Sequence, residues 1–252
     1  MPIDFGRRLT GPDRSVGANR QLGWTLAFIA GATNAGAFLA VKQYTSHMTG
    51  MVSSLADSLV LGDFAVAAGA FGALISFLMG AACCAILINF ARRHQLRSQF
   101  AMPLLLEALL LLLFGLIGAQ LSTVRGLFVS VTVMLLCFMM GLQNAVITKV
   151  SRAEIRTTHV TGLVTDIGIE LGKLLYWNRL QVDPALHVFA DRARLRVLLL
   201  LVLAFLAGGL VGALGFQRLG YAMTLPLSLI LVLLASVPVV DDVRAGLAGR
   251  GP

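Results

Sequence analysis

The sequence predicts an all-α polytopic membrane protein: six transmembrane helices and two short re-entrant half-helices, arranged as two inverted three-span repeats. Three observations lead there. The chain is 58% hydrophobic and only 13% charged, too few charges to cover a soluble surface. Six apolar runs reach the ~20 residues needed to cross a hydrocarbon core ~30 Å thick. One polar motif also occurs twice, as Thr45-Ser46-His47-Met48-Thr49-Gly50-Met51-Val52 and as Thr157-Thr158-His159-Val160-Thr161-Gly162-Leu163-Val164. A second shared element precedes each copy, Gly31-Ala32-Thr33-Asn34-Ala35 and Gly141-Leu142-Gln143-Asn144-Ala145. Internal duplication is the simplest origin of such a pattern.

Taken in order, residues 1–21 form a basic amino-terminal segment carrying Arg7, Arg8, Arg14 and Arg20. No small-residue cleavage site follows a short apolar core, so the first run reads as a retained span rather than a signal peptide. The spanning runs are Leu22–Val41, Phe64–Ala91 and Ala101–Gln120, then Gly126–Thr148, Leu195–Phe216 and Tyr221–Val240. They divide into a first repeat over 22–120 and a second over 126–240. A polar tail, 241–252, reads as a frayed cytoplasmic end. Two further helical segments, Met48–Leu61 and Val160–Leu175, follow the duplicated motifs. The first measures only ~20 Å at 1.5 Å per residue.

Charge placement decides how those short segments sit. If all eight segments cross with the amino terminus inside, 8 of the 20 Lys and Arg residues face outward. If the two short segments dip in and return, only Lys42, Arg125 and Arg218 lie outside, which leaves 17 of the 20 inside. Each repeat then holds three spans, an odd number, so the second is inverted relative to the first. Inverted repeats with discontinuous helices meeting near the midplane are a transporter architecture. The formal charge of +8 is thus an orientation signal with inner-leaflet attraction, not a nucleic-acid footprint.

The candidate site lies where the half-helices begin. Thr45-Ser46 and Thr157-Thr158 precede helix starts as N-caps do, and free N–H groups and positive dipole ends there can receive an anionic group. Substrate-binding candidates are Asn34, Ser46, His47, Thr49 and Gly50 from the first copy, and Asn144, Thr158, His159, Thr161 and Gly162 from the second. The hydroxyls could instead simply satisfy the backbone, since unpaired amides are costly in lipid. Asn34 and Asn144 are read first as holding the neighbouring re-entrant backbone in place, with substrate contact second. Helical spacing lines up His159, Gly162, Asp166, Glu170 and Lys173 on one face, which nominates Asp166 and Glu170 for proton coupling. The bland alternative for Glu170 and Lys173 is an i,i+3 ion pair near the cytoplasmic surface.

Other residues point to less. Glu107 on the third span reads as a snorkelling side chain or a partner of Arg97. The run Gly208-Gly209-Leu210-Val211-Gly212 supplies small residues for close helix packing. Cys83, Cys84 and Cys137 sit in apolar runs without metal-ligand spacing, and two histidines without further ligands do not make a metal site. No cofactor or metal is expected. No HExxH, GxSxG or nucleotide-binding glycine loop occurs, so no enzyme is expected.

The pairing of Gly-x-x-Asn-Ala with Thr-[Ser/Thr]-His-x-Thr-Gly resembles the YoaK-like bacterial membrane proteins, grouped as domain of unknown function 1275. The resemblance covers about Leu22 to Val240, with the Ser46-His47-Met48-Thr49-Gly50 core its most specific part. It implies a bacterial inner-membrane location and a six-span class, and supplies no substrate. The leading expectation is a small-solute transporter or channel with its site between the two half-helix starts and both termini cytoplasmic. Its expected partners are the lipid bilayer and a small solute or ion, with a homo-oligomer left open. The alternatives are a non-transporting scaffold or regulatory membrane protein and, ranked lower, an intramembrane enzyme.

Overall fold

A computed structural model describes residues 15–121, 125–151, 157–176 and 187–248. Eight α-helices follow one another there: α1 Val16–Val41, α2 Met48–Leu61, α3 Phe64–Arg93, α4 Ala101–Leu121, α5 Arg125–Val150, α6 Val160–Leu175, α7 Arg192–Leu219 and α8 Thr224–Ala248. The segment boundaries of α2 and α6 are those expected from the sequence. Several longer helices begin or end beyond their apolar runs because polar residues cap them. Ser15 accepts from the Ala18 amide, Asp63 from Val66 and Asp191 from Arg194, each satisfying an amide that the first helical turn leaves orphaned. Arg7, Arg8, Arg14, Arg152, Arg156 and most of the Trp177–Arg194 connection fall outside the described residues.

Five stretches are long and apolar enough to cross a membrane: Val16–Val41, Phe64–Arg93, Ala101–Ala119, Ser130–Val150 and Arg192–Arg244. The last contains both α7 and α8, separated by a short 3₁₀ turn, Gly220–Met223. Gly220 takes a φ of 57° and a ψ of −142°, a conformation open to glycine. Outward-facing side chains are apolar along these helices, as Leu78, Ile86, Leu203, Leu210 and Leu229 illustrate. That exposure suits hydrocarbon and would be unfavourable in water.

The packing rests on a contact that occurs four times. A Cβ added to Gly80 would collide with the carbonyl oxygen of Phe138, and one on Gly208 with that of Phe28. Likewise Gly141 abuts the carbonyl of Phe77, and Gly31 that of Phe205. Each helix involved carries the same tetrad: Phe28-x-x-Gly31 on α1, Phe77-x-x-Gly80 on α3, Phe138-x-x-Gly141 on α5 and Phe205-x-x-Gly208 on α7. Glycine lets two backbones approach to where Cα–H groups meet carbonyl oxygens, the small-residue mode of helix association in lipid. Further contacts set direction. Gly212 meets Ala32 and Gly36 meets Phe216, so α7 runs parallel to α1; Gly72 meets Met134, so α5 runs parallel to α3. The glycine run on α7 therefore packs as its composition suggested.

Helices α4 and α8 lie antiparallel. Tyr221, just before α8, packs on Gly118 near the end of α4, with its ring edge-on to Phe114 at 5.6 Å. At the opposite end Asp242 accepts from the amides of Arg97 and Ser98 at 2.9 and 2.8 Å, tying the α3–α4 turn to α8. The segment after Val240 is thus helical to Ala248 rather than a frayed tail, because Asp242 anchors it. Glu107 also departs from expectation. It is 1% exposed, on the α4 face shared with Leu104, Ala108 and Leu111. Among the described residues it has no ion pair, and its Oε2 has no hydrogen-bond partner. Its position on the inner face of α4 rules out snorkelling.

Candidate functional site

The first turns of α2 and α6 open onto one cavity of about 730 Å³, lined from both halves of the chain. Asn34, Ser46, His47 and Thr49 contribute from one half, and Asn144, Thr158, His159 and Thr161 from the other. Phe77 and Phe205, two of the four phenylalanines whose carbonyls receive a glycine, complete the wall together with Tyr44, Met48, Thr148 and Val160. The duplicated polar motifs, 112 positions apart in sequence, thus face the same space.

The helix starts differ in one respect from expectation. The N-cap residues are His47 and His159, at φ −90°, ψ 71° and φ −82°, ψ 57°, and neither side chain makes a capping hydrogen bond. The preceding threonines are not caps: Thr45 and Thr157 are fully buried and, among the described residues, their Oγ1 atoms lack partners. In the first copy the Met48 amide reaches Ser46 O and the Met51 amide reaches His47 O, both at 3.2 Å. The amides of Thr49 and Gly50 have no acceptor within the helix, as first-turn geometry dictates. In the second copy the Leu163 amide reaches His159 O at 3.1 Å, and Thr161 and Gly162 stand as Thr49 and Gly50 do.

The motif glycines have a direct physical reason. A Cβ at Gly50 would lie 2.6 Å from Nδ1 and 2.8 Å from Cε1 of His47, and one at Gly162 would collide with the His159 ring in the same way. Each imidazole folds back over the first turn of its own helix, and the space it occupies is where a methyl would sit. His-x-x-Gly is therefore one packing unit. Gly50 and Gly162 act through the histidines and are not among the cavity-lining residues.

The two asparagines behave unequally. Asn144 Nδ2 donates to Met140 O at 2.8 Å, and its Oδ1 accepts from Thr158 Oγ1 at 2.7 Å, which pins the α6 entry to α5. Asn34 is 8% exposed and, among the described residues, its Oδ1 has no partner. The equivalent Ser46 does not close onto it.

Asp166 and Glu170 lie away from this cavity. Asp166 Oδ2 pairs with Arg194 Nη2 at 3.0 Å. Glu170 pairs with Lys173 at 2.8 Å and accepts from the Asp191 amide at 2.8 Å. These bonds, the Lys173 hydrogen bond first, hold the Glu170 carboxyl below the ordinary value of 4.5. Both acids fasten α6 to the start of α7. The Asp166–Arg194 pair joins residues far apart in sequence, which helical spacing along α6 alone could not find. Among the described residues no group of three or more His, Cys, Asp or Glu side chains is placed to hold a metal.

This geometry belongs to a chain whose residues 22–237 match the family described as a protein of unknown function (DUF1275). The chain belongs to the DUF1275 family. No curated protein and no solved structure matches it. The matched region of this DUF1275 chain spans every cavity-lining residue, so the whole site lies inside the family domain.

Proposed function

We propose that the protein is a non-enzymatic transporter or channel for a small solute, with the cavity between the α2 and α6 N-termini as its binding site. The observation that carries this reading is the convergence of two duplicated polar helix starts on one cavity in an otherwise apolar helical bundle. In the proposed architecture six helices cross the bilayer and α2 and α6 are re-entrant, as two inverted repeats. The paired contacts Gly80–Phe138 with Gly208–Phe28, and Gly141–Phe77 with Gly31–Phe205, support that symmetry. So do the parallel α1–α7 and α3–α5 pairs and the antiparallel α4–α8 pair, since inversion turns each helix against its counterpart. The break at Gly220 supports counting α7 and α8 as separate crossings. Both termini are cytoplasmic in this arrangement and the location is the bacterial inner membrane. The partners are lipid and a solute, with no nucleic acid and no cofactor. Asp166 and Glu170, each in an ion pair outside the cavity, are assigned structural roles rather than proton coupling.

The test uses single cysteines in a chain lacking Cys83, Cys84 and Cys137. A membrane-impermeant thiol reagent applied from outside should label a cysteine at Gly62 and spare one at Arg92; the reverse pattern overturns the re-entrant arrangement. Cysteines at Thr49 and Thr161, both exposed on the half-helix starts, should react with water-soluble reagent from at least one side. Complete protection of both means that lipid or protein seals the site, and the transport reading falls.

A further inference from the structure

We propose that Glu107 is a proton-binding site that carries its proton in the conformation described and releases it to the cytoplasm when α4 and α8 part; its coupling to the cavity rests on the transport reading above. Over residues 21–41, 64–91, 101–121, 126–148, 197–217 and 224–240 the six long helices contain a single charged residue, Glu107. It stands six residues into α4, ~9 Å from the helix start at ~1.5 Å per residue. Ser98 bonds to Asp242 and Gly115 lies against Thr224. That antiparallel register sets Glu107 beside the α8 turn holding Leu231 and Ala235, both fully buried. The acid itself is 1% exposed. Among the described residues it forms no ion pair, and its Oε2 has no hydrogen-bond partner.

The titratable groups on the packed helices are few. From α3, the Cys84 thiol lies within electrostatic reach of Glu107, and Lys149 near the cytoplasmic end of α5 lies within reach of Cys84. Cys83 on α3, Cys137 on α5 and Tyr221 before α8 complete the apolar stretches. The helix ends add Arg92, Arg93, His94 and Arg97 around the α3–α4 turn, and Asp241, Asp242 and Arg244 on α8. An ionised carboxylate with no cation against it is too costly to bury, so the acid is neutral here. Stability alone does not call for it, because a well-packed apolar side chain would leave no unsatisfied oxygen. Ionisable side chains inside spanning helices characteristically belong to proton or substrate pathways. Asp166 and Glu170 each already hold a cation; Glu107 does not. Asp242 closes α8 onto the Arg97–Ser98 turn, between Glu107 and the cytoplasmic helix ends. When that latch opens, water reaches the carboxyl and takes the proton, and the charge left on Glu107 opposes reclosure.

The experiment has two arms, both on the full-length chain in proteoliposomes. Infrared difference spectroscopy at neutral pH compares the parent with Glu107→Gln. The parent should show the carbonyl stretch of a protonated carboxyl, and Glu107→Gln should lose it. The second arm places a cysteine at Thr161 in the chain lacking Cys83, Cys84 and Cys137. Its rate of reaction with a water-soluble thiol reagent is followed across pH, with and without Glu107→Gln, and the ratio of the two rates cancels the titration of the cysteine itself. That ratio should change as pH rises, by up to about tenfold per pH unit, the limit for one proton. Glu107→Asp, which keeps a carboxyl, should follow the parent. Absence of the stretch in the parent, or its persistence in Glu107→Gln, overturns the proton site. A ratio that stays constant with pH overturns the coupling and leaves a buried acid that moves nothing. Protection of the cysteine at every pH removes the coupling together with the transport reading, and the infrared arm then still decides whether Glu107 holds a proton.

Discussion

Replacing Gly50 by alanine should move a histidine without unfolding the protein. The added Cβ would stand 2.6 Å from His47 Nδ1, whereas carbon contacts settle near ~3.5–4.0 Å. The imidazole must therefore retreat by about 1 Å, and it is the free end of a two-torsion side chain. An off-rotamer displacement of that order costs ~0.5–1.5 kcal/mol. Alanine recovers ~1 kcal/mol over glycine in helix propensity, so the two nearly cancel. Gly80→Ala is the control. Its Cβ would strike the Phe138 carbonyl oxygen and lie 3.0 Å from the Leu142 nitrogen, both backbone atoms that cannot swing aside. Overpacking there costs ~1–3 kcal/mol, roughly 2–4 °C of melting temperature per kcal/mol in a chain of this size. Thermal unfolding of the detergent-purified variants gives the first readout. Acylation of His47 by diethyl pyrocarbonate, followed by peptide mass spectrometry, gives the second. Gly50→Ala should melt like the parent and change its acylation rate; Gly80→Ala should melt lower and leave that rate alone. Equal melting losses in the two variants, or an unmoved His47 rate in Gly50→Ala, would refute the packing account of His-x-x-Gly.

Other outcomes follow from the same geometry. Thr158→Val removes the donor to Asn144 Oδ1 and should cost ~0.5–1.5 kcal/mol, while Ser46→Ala, whose hydroxyl makes no such bond, should melt unchanged; a larger loss from Ser46→Ala would contradict the unequal half-sites. Asp242→Asn weakens two bonds to a charged acceptor and should cost ~1–3 kcal/mol, read as a lower melting temperature and faster proteolysis near the carboxyl end. Glu170 gives a pH prediction. Its carboxyl is lowered in the folded chain, so its stabilising contribution is complete above the ordinary value of 4.5 and disappears as pH falls through the lowered one. Melting temperature in Glu170→Gln should fall less steeply than the parent's below that ordinary value, and parallel curves would remove Glu170 from the acid response.

The helical membrane class and both short helices were legible because their signals are local. A short apolar run between a Thr-x-His-x-x-Gly motif and Gly62-Asp63 fixes α2 without tertiary information, and the repeated motif fixes α6 by analogy. The motif that carries His47 and His159, both of which line the one cavity, was visible in the sequence as a duplication. What was not legible depended on which helices become neighbours. Arg194 reaches Asp166 only because α7 packs beside α6. Asp242 matters only because α8 returns along α4 to the Arg97–Ser98 turn. Glu107 is buried because its face of α4 turns inward, a choice that a uniformly apolar helix does not reveal in its periodicity. The four Phe-x-x-Gly tetrads were present in the sequence. Phenylalanine and glycine are common in such a chain, however, and only their contacts distinguish these tetrads from the background. The capping role expected of Thr45 and Thr157 went instead to the histidines, since each chain turn buries its threonine before the helix begins.

The glycine–carbonyl contacts also say where this molecule can move. Backbones in van der Waals contact along several turns cannot shear without lifting apart, so α1 with α7 and α3 with α5 each behave as a stiff twin rod. Between the rods the join is looser: Gln143 Nε2 donates to the Leu26 carbonyl at 3.1 Å, and among the described residues Gln143 Oε1 lacks a partner. In the transport reading proposed above, with α2 packed on α3 and α6 on α7, sliding one rod past the other would carry the two histidines in opposite directions and open the cavity toward one face as it closes toward the other.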